Sequence, residues 1–304
     1  MSAVVPTTAS GPAPGRTAGP GTRSAGRAVR DRLATVLVWT AFLLALAPLA
    51  WILWTVTSRG YSLLLDQTWW LNSQRGITPR KVGGGAYHAI VGTVLQGVVC
   101  AVIAVPIAVF TAIYLVEYGR GRLARAVSFM VDILTGIPSI VAALFVYAAW
   151  VTTFGLRRVA FAVSLSLVML MIPVVVRSTE EMLKLVPNEL REASYALGVP
   201  KWRTIARIVL PTAMSGIITG ILLGLARVMG ETAPLLILGP YSASINTNLL
   251  DGPMAALPTM IKENFGQPLD PAVDRLWASA LTLILIILVL NATGRLVARF
   301  SVVR

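Results

Sequence analysis

Six stretches of this chain each run for about the thickness of a bilayer with at most one formal charge, and this limits the folds open to it. Residues 33–58 and 82–116 contain no Asp, Glu, Lys or Arg, and residues 126–156 contain only Asp132. Residues 159–176, 208–226 and 276–294 again contain none. A hydrocarbon core of roughly 30 Å is crossed by about 20 apolar helical residues. Within lipid each segment must satisfy its own backbone N–H and C=O groups, so each run is expected to be a helix. The expected fold class is therefore all-α and membrane-integral. Its six transmembrane helices are placed at residues 33–58, 86–116, 126–152, 159–177, 208–236 and 275–297.

The first run contains Ala45-Leu46-Ala47, a triplet like a signal-peptide cleavage site. The run is longer than a signal peptide's apolar region, and Pro48 would directly follow the cut, so it is read as a retained helix. Residues 1–32 are Gly, Pro, Ala, Ser, Thr and Arg without hydrophobic period, which predicts a disordered basic tail.

Charge supplies the orientation. The chain has 26 Lys and Arg against 13 Asp and Glu, a net charge of +13 that would by itself suggest a nucleic-acid partner. The positions exclude that reading, because the basic residues punctuate apolar blocks. With the tail inside the cell, 16 Lys and Arg fall on the cytoplasmic side and eight outside, so both termini are expected in the cytoplasm. Arg157 and Arg158 are a local exception. One cysteine, Cys100, and one histidine, His88, leave no disulfide framework and no Cys- or His-built metal site.

The segment 186–211, between the fourth and fifth runs, carries the most information. Residues 188–197 are good helix formers with Leu190, Ala193, Ser194 and Leu197 on one face. Gly198 follows, where a helix end favours a left-handed residue, and Pro200 can open a second helix that runs into Pro211. The result is an elbow of two helices about a glycine corner. Taken alone, it could be an amphipathic hairpin on the membrane surface. No Gly-x-x-x-x-Gly-Lys-Ser/Thr loop occurs in the chain, so it has no phosphate-binding loop with which to hydrolyse ATP.

Four charges fall in or beside the apolar runs. In the fifth, Gly216, Gly220 and Gly224 recur every fourth residue, which lets another helix backbone approach. Arg227 and Glu231 are spaced i and i+4 and border that stripe if the helix continues. They are then either a structural ion pair or groups facing a polar path. Arg177, after Pro173, either snorkels to the interface or joins that path. Asp132 is read as a loop or helix partner, and Gly136-Ile137-Pro138-Ser139 should kink or break the third helix.

Glu192-Ala193-Ser194, with Gly198, Ile208, Leu210 and Pro211 in register, is similar to the cytoplasmic signature of bacterial ABC-importer permeases; only Ser194 departs from the usual alanine. That resemblance implies residues 33–304 are a permease domain whose elbow is a coupling helix docking on an ATPase subunit. It assigns the docking contact to Glu192, Ala193, Ser194 and Gly198, with an ion pair between Glu192 and Arg191 or Lys201 as the alternative for Glu192. Ala226 to Leu236, Gly136 to Val141 and Ile172 to Glu181 further resemble the PstA-type permease of the high-affinity phosphate importer. This implies a phosphate path involving Arg177, Arg227 and Glu231.

The partners implied are a PstC-type second permease, a PstB-type ATPase dimer holding ATP and Mg, an extracytoplasmic PstS-type phosphate-binding protein, and the lipid of the bacterial inner membrane. No cofactor on this chain, no catalysis by it and no nucleic acid are implied. Another oxyanion such as sulfate or molybdate is the alternative substrate, and a secondary transporter the alternative class. Leu257, Met260, Ile261 and Phe265 suggest a short helix in the outer loop, lying on the surface toward the partners or buried against the spans.

Overall fold

The computed structural model describes residues 25–301, and every regular element among them is helical. The chain divides into two compact units, residues 1–53 and 54–304. Helix α1 (Ala25–Leu64) belongs to both. It begins inside the stretch expected to be an unstructured tail, whose first 24 residues lie outside the described part. Within the first unit α1 carries exposed Leu33, Leu37, Phe42 and Leu44.

In the second unit α2 (Gln67–Leu71), capped by the Asp66 carboxylate on the Thr68 N–H, precedes α3 (Tyr87–Ile113). Next come α4 (Gly121–Gly136), α5 (Ser139–Tyr147) and α6 (Ala160–Lys184). The elbow helices α7 (Asn188–Ala196) and α8 (Lys201–Thr204) lead to α9 (Leu210–Met229). After α10 (Ala233–Leu238) and α11 (Leu257–Asn264), α12 (Asp270–Ser301) ends the described chain. Five helical stretches are long and apolar enough to cross a membrane, and the pair α4 and α5 makes a sixth, bent by 106°. The bend falls at Ile137-Pro138, where the proline ring excludes a continuous helix.

Helix α6 is the hub. Two thirds of its apolar stretch (67%) is buried, against 28% for α3, because α6 is apolar or small on every side. Small residues let its neighbours close in. From α3, Cys100, Ala104, Ala108 and Ala112 are all fully buried at fourfold spacing, with the Cys100 sulfur 3.6 Å from that of Met171. From α9 the glycine stripe faces α6. A Cβ on Gly216 would sit 2.1 Å from Met182 Sδ, on Gly220 1.9 Å from Ser178 Oγ, and on Gly224 3.2 Å from Val175 Cγ2. Close backbone approach of this kind is how helices associate where the surroundings are as apolar as the side chains.

The fifth run does not remain one helix to residue 236. It stops at Met229, and Gly230, Glu231 and Thr232 separate it from α10. Pro234 supplies the reason, since in a continuous helix its ring would clash with the carbonyl of residue 230. Helix α11 is not a surface helix: Leu257, Pro258, Thr259, Met260 and Asn264 are buried, and only its end, with Phe265, is exposed. The Leu257 N–H donates to Thr93 Oγ1 at 2.8 Å, and a Cβ on Gly92 of α3 would lie 1.8 Å from the Ala255 carbonyl oxygen.

Overpacking a contact of this kind costs about 1–3 kcal/mol. Gly220→Val is therefore expected to lower the thermal unfolding midpoint in detergent clearly, while Gly26→Ala, which has nothing within 4 Å, leaves it unchanged.

Candidate functional site

The elbow turns at Gly198, whose φ of +73° is a left-handed conformation that glycine adopts without strain. The amides of Leu197, Gly198 and Val199 return to the carbonyls of Ala193, Tyr195 and Ser194, which closes the end of α7. Pro200 stands just before α8 rather than as its first residue. Glu192, Ala193 and Gly198 are exposed, beside Leu197 (83% exposed) and Trp202, over whose ring the Arg203 guanidinium lies 5.2 Å from the centroid.

Ser194 is different from these three. It is buried, and its Oγ lies 2.8 Å from Thr204 Oγ1, a hydroxyl pair that ties α7 to α8. Its expected place on the docking face is corrected accordingly: the hydroxyl that departs from the common alanine faces inward and has a partner. The alternative ion pair of Glu192 also fails, because among the described residues Glu192 has no ionic partner. Arg191 instead pairs with Glu117 at 2.9 Å, and Lys201 reaches the Glu117 carbonyl.

The charges within the spans separate into two kinds. Arg177 has several acceptors within reach. It donates to Asp132 of α4, to Glu180 of α6 at 2.5 Å, and to the carbonyl and hydroxyl of Ser128 at 3.2 and 3.1 Å. Lys184 adds a longer contact to Glu180 at 3.8 Å. Snorkelling does not describe this residue, which fastens α4 to α6. Arg227 is exposed and Glu231 half-buried, and among the described residues neither has a hydrogen-bonded or ionic side-chain partner. Because the helix ends between them, the i and i+4 geometry is lost, and so is the structural ion pair it allowed.

The two arginines are not brought together. Met182 lies opposite Gly216, Ser178 opposite Gly220 and Val175 opposite Gly224, so the two helices are antiparallel. That register puts Arg227 level with about Met171, roughly 9 Å along the axis from Arg177 at 1.5 Å per residue.

Two polar centres gave no periodic signal in the sequence. Arg275, 3% exposed, donates to the carbonyls of Lys81, Gly83, Thr78 and Pro79 at 2.7 to 3.4 Å and so gathers the loop before α3. His88 Nε2 lies 3.3 Å from Tyr241 Oη, which donates to Gln74 Oε1 at 3.2 Å. Both join residues more than 150 positions apart, with no local pattern to announce them.

A hub helix approached by small-residue faces, a glycine-cornered elbow and charges at a helix break together describe a multi-span helical membrane protein with polar groups set at a break in one span. Residues 85–302 match the family of binding-protein-dependent transport system inner membrane components, and the chain belongs to that family. Within it the chain belongs with the PstA phosphate transport permeases. It is 52% identical over 278 residues to the phosphate transport system permease protein PstA 1 of Mycobacterium tuberculosis, covering 91% of each chain. It is 40% identical to the PstA protein of Yersinia pestis, over 90% of this chain and 92% of that one. Its fold is that of a chain of a bacterial alginate ABC transporter, with a TM-score of 0.62 over 93% of this chain and 99% of that one at 15% identity.

The two carboxylates on Arg177 should differ in weight. Removing Glu180, whose side chain is 7% exposed, takes the inner of two carboxylates from Arg177 while Asp132 stays in place, and is expected to cost about 2 kcal/mol. Removing Asp132, 63% exposed, should cost less than about 1 kcal/mol. Thermal unfolding of Glu180→Ala and Asp132→Ala in detergent measures the difference.

Proposed function

We propose that this chain is one of two permease subunits of an ATP-driven phosphate importer in the bacterial cell membrane, with the elbow and both termini in the cytoplasm. Arg227 carries the reading: a guanidinium without a partner among the described residues, at a helix break inside a membrane protein, in a chain related to phosphate permeases. A charge at such a depth costs about 2.5 to 3.5 kcal/mol on insertion scales and is retained where it meets a partner or an aqueous path. The fork of a guanidinium matches two phosphate oxygens and stays protonated whatever its surroundings.

In this reading a PstS-type binding protein delivers phosphate from outside, and a PstC-type permease supplies the other wall of the path. Phosphate meets Arg227 first, on the far side from the elbow. Glu231, on the other side of the Gly230 break, accepts a hydrogen bond from the protonated oxygen of phosphate; sulfate has no such proton at neutral pH and would be repelled. Arg177, one step closer to the elbow, exchanges Asp132 for phosphate as α4 moves. The PstB-type ATPase dimer, which holds ATP and Mg, closes beneath the exposed Glu192, Ala193 and Gly198 surface and drives the change of access. This chain itself supplies charge, shape and coupling, and no bond-making step.

In vesicles holding the intact complex, Arg227→Ala is expected to reduce ATP-driven phosphate uptake by at least about tenfold, the value of one charged hydrogen bond. Wild-type uptake would remove Arg227 from the path. Glu231→Gln is expected to narrow the preference for phosphate over sulfate in the same vesicles, with assembly unchanged; an unaltered preference would sink the selectivity role.

A further inference from the structure

Two wide turns flank the attachment of the elbow. Helix α3 ends in a π turn, Tyr114–Tyr118, and α8 passes through another, Ile205–Val209, before α9. Such turns are uncommon and concentrate at functional sites, where they re-aim a side chain. In α3 the turn carries Glu117 inward. Its side chain is 5% exposed, and its Oε1 accepts from Arg191 Nη2 at 2.9 Å and from Nε at 3.2 Å.

Arg191 does more than answer that charge. Its Nη1 donates to the Val186 carbonyl at 2.6 Å and its Nη2 to the Leu183 carbonyl at 2.9 Å, at the end of α6. One guanidinium thus joins α7, the end of α6 and the end of α3. The other arm of the elbow holds the same turn, since the Lys201 ammonium donates to the Glu117 carbonyl and lies 4.6 Å from the centre of the Tyr118 ring. Ser194 and Thr204 bridge the two arms. The elbow cannot shift against α3 without uncovering a buried ion pair, and removing either partner leaves a charge without compensation.

We propose that Glu117 is the positioning residue that makes the elbow and the hub move as one body. Displacement of the exposed face at Glu192, Ala193 and Gly198 is passed through Arg191 and Lys201 to α3, and by the tight contact of α3 with α6 to the core. Glu117 touches no substrate and acts through its carboxylate on Arg191 and its main-chain carbonyl on Lys201. The inference rests on the reading above, in which an ATPase acts on the elbow.

The test uses the complete complex, this chain with its permease and ATPase partners, in vesicles, with ATP hydrolysis and radiolabelled phosphate uptake measured on one sample. Wild-type complex fixes the phosphate moved per ATP; if it moves none, the functional reading fails, and the role of Glu117 with it. With wild-type transport established, Glu117→Gln is expected to hydrolyse ATP within about twofold of wild type while phosphate moved per ATP falls about tenfold, a typical coupling between sites. Glu117→Asp, which keeps the charge, should restore at least about half of the ratio. An unchanged ratio in Glu117→Gln overturns the proposal, as does a Glu117→Asp ratio no better than that of Glu117→Gln. If Glu117→Gln does not co-purify with the ATPase, Lys201→Gln, which leaves the buried pair intact, carries the test. Its ratio should fall about threefold, and a wild-type ratio there overturns the proposal.

Discussion

The glycines of α9 bring its backbone against Met182, Ser178 and Val175 of α6, at Gly216 and Gly220 nearer than a Cβ could come without a shift, while Cys100 and three alanines of α3 close on the same helix. In water such a core would be drawn together by the hydrophobic effect. In lipid that force is absent between helices, and association rests on dispersion and fit. The chain therefore depends on small residues at regular spacing more than on large ones. The same contact fixes the antiparallel register of α6 and α9, and that register sets the heights of the two arginines. Packing thus determines where charge can stand, and charge determines what can cross.

The ionic groups divide by what surrounds them. Arg177 and Arg191 are surrounded by acceptors and act as fasteners between helices. Arg227 is exposed although Val228 and Met229 beside it are buried, and no carboxylate reaches it among the described residues. An arginine with its acceptors already present tends to hold structure, and one without them offers its donors to whatever arrives. The break at Gly230 contributes by separating Glu231 from the helix that carries Arg227, so that the two charges cannot satisfy each other at i and i+4 spacing.

Features written locally in the sequence were the legible ones. Charge-free runs gave the helices, Gly198 and Pro200 gave the elbow, and Pro138 gave the break between α4 and α5. Pro234 carries the same kind of information about the end of α9; a helical wheel continued past it puts Arg227 and Glu231 on one face, which the break at 230–232 removes. The spacing of α11 was visible while its burial was not, since periodicity identifies a face without naming what covers it. Ser194 likewise read as one of three small elbow residues, although only Thr204, ten positions on, explains its hydroxyl. Glu117 and Arg191, 74 residues apart, form a pair that no local period reveals. The fourfold spacing of Cys100, Ala104, Ala108 and Ala112 was a usable signal for the α3 and α6 contact, of the same form as the glycine stripe.

Arg275 holds the loop at residues 78–83 through peptide carbonyls. A carboxylate loses its charge as its surroundings acidify, and an ion pair built on it weakens in step; an amide carbonyl has no proton to gain in that range. The grip of this arginine on the loop is accordingly indifferent to acid. Acid changes the charge on many exposed acidic side chains, yet this connection, which precedes α3, keeps its shape.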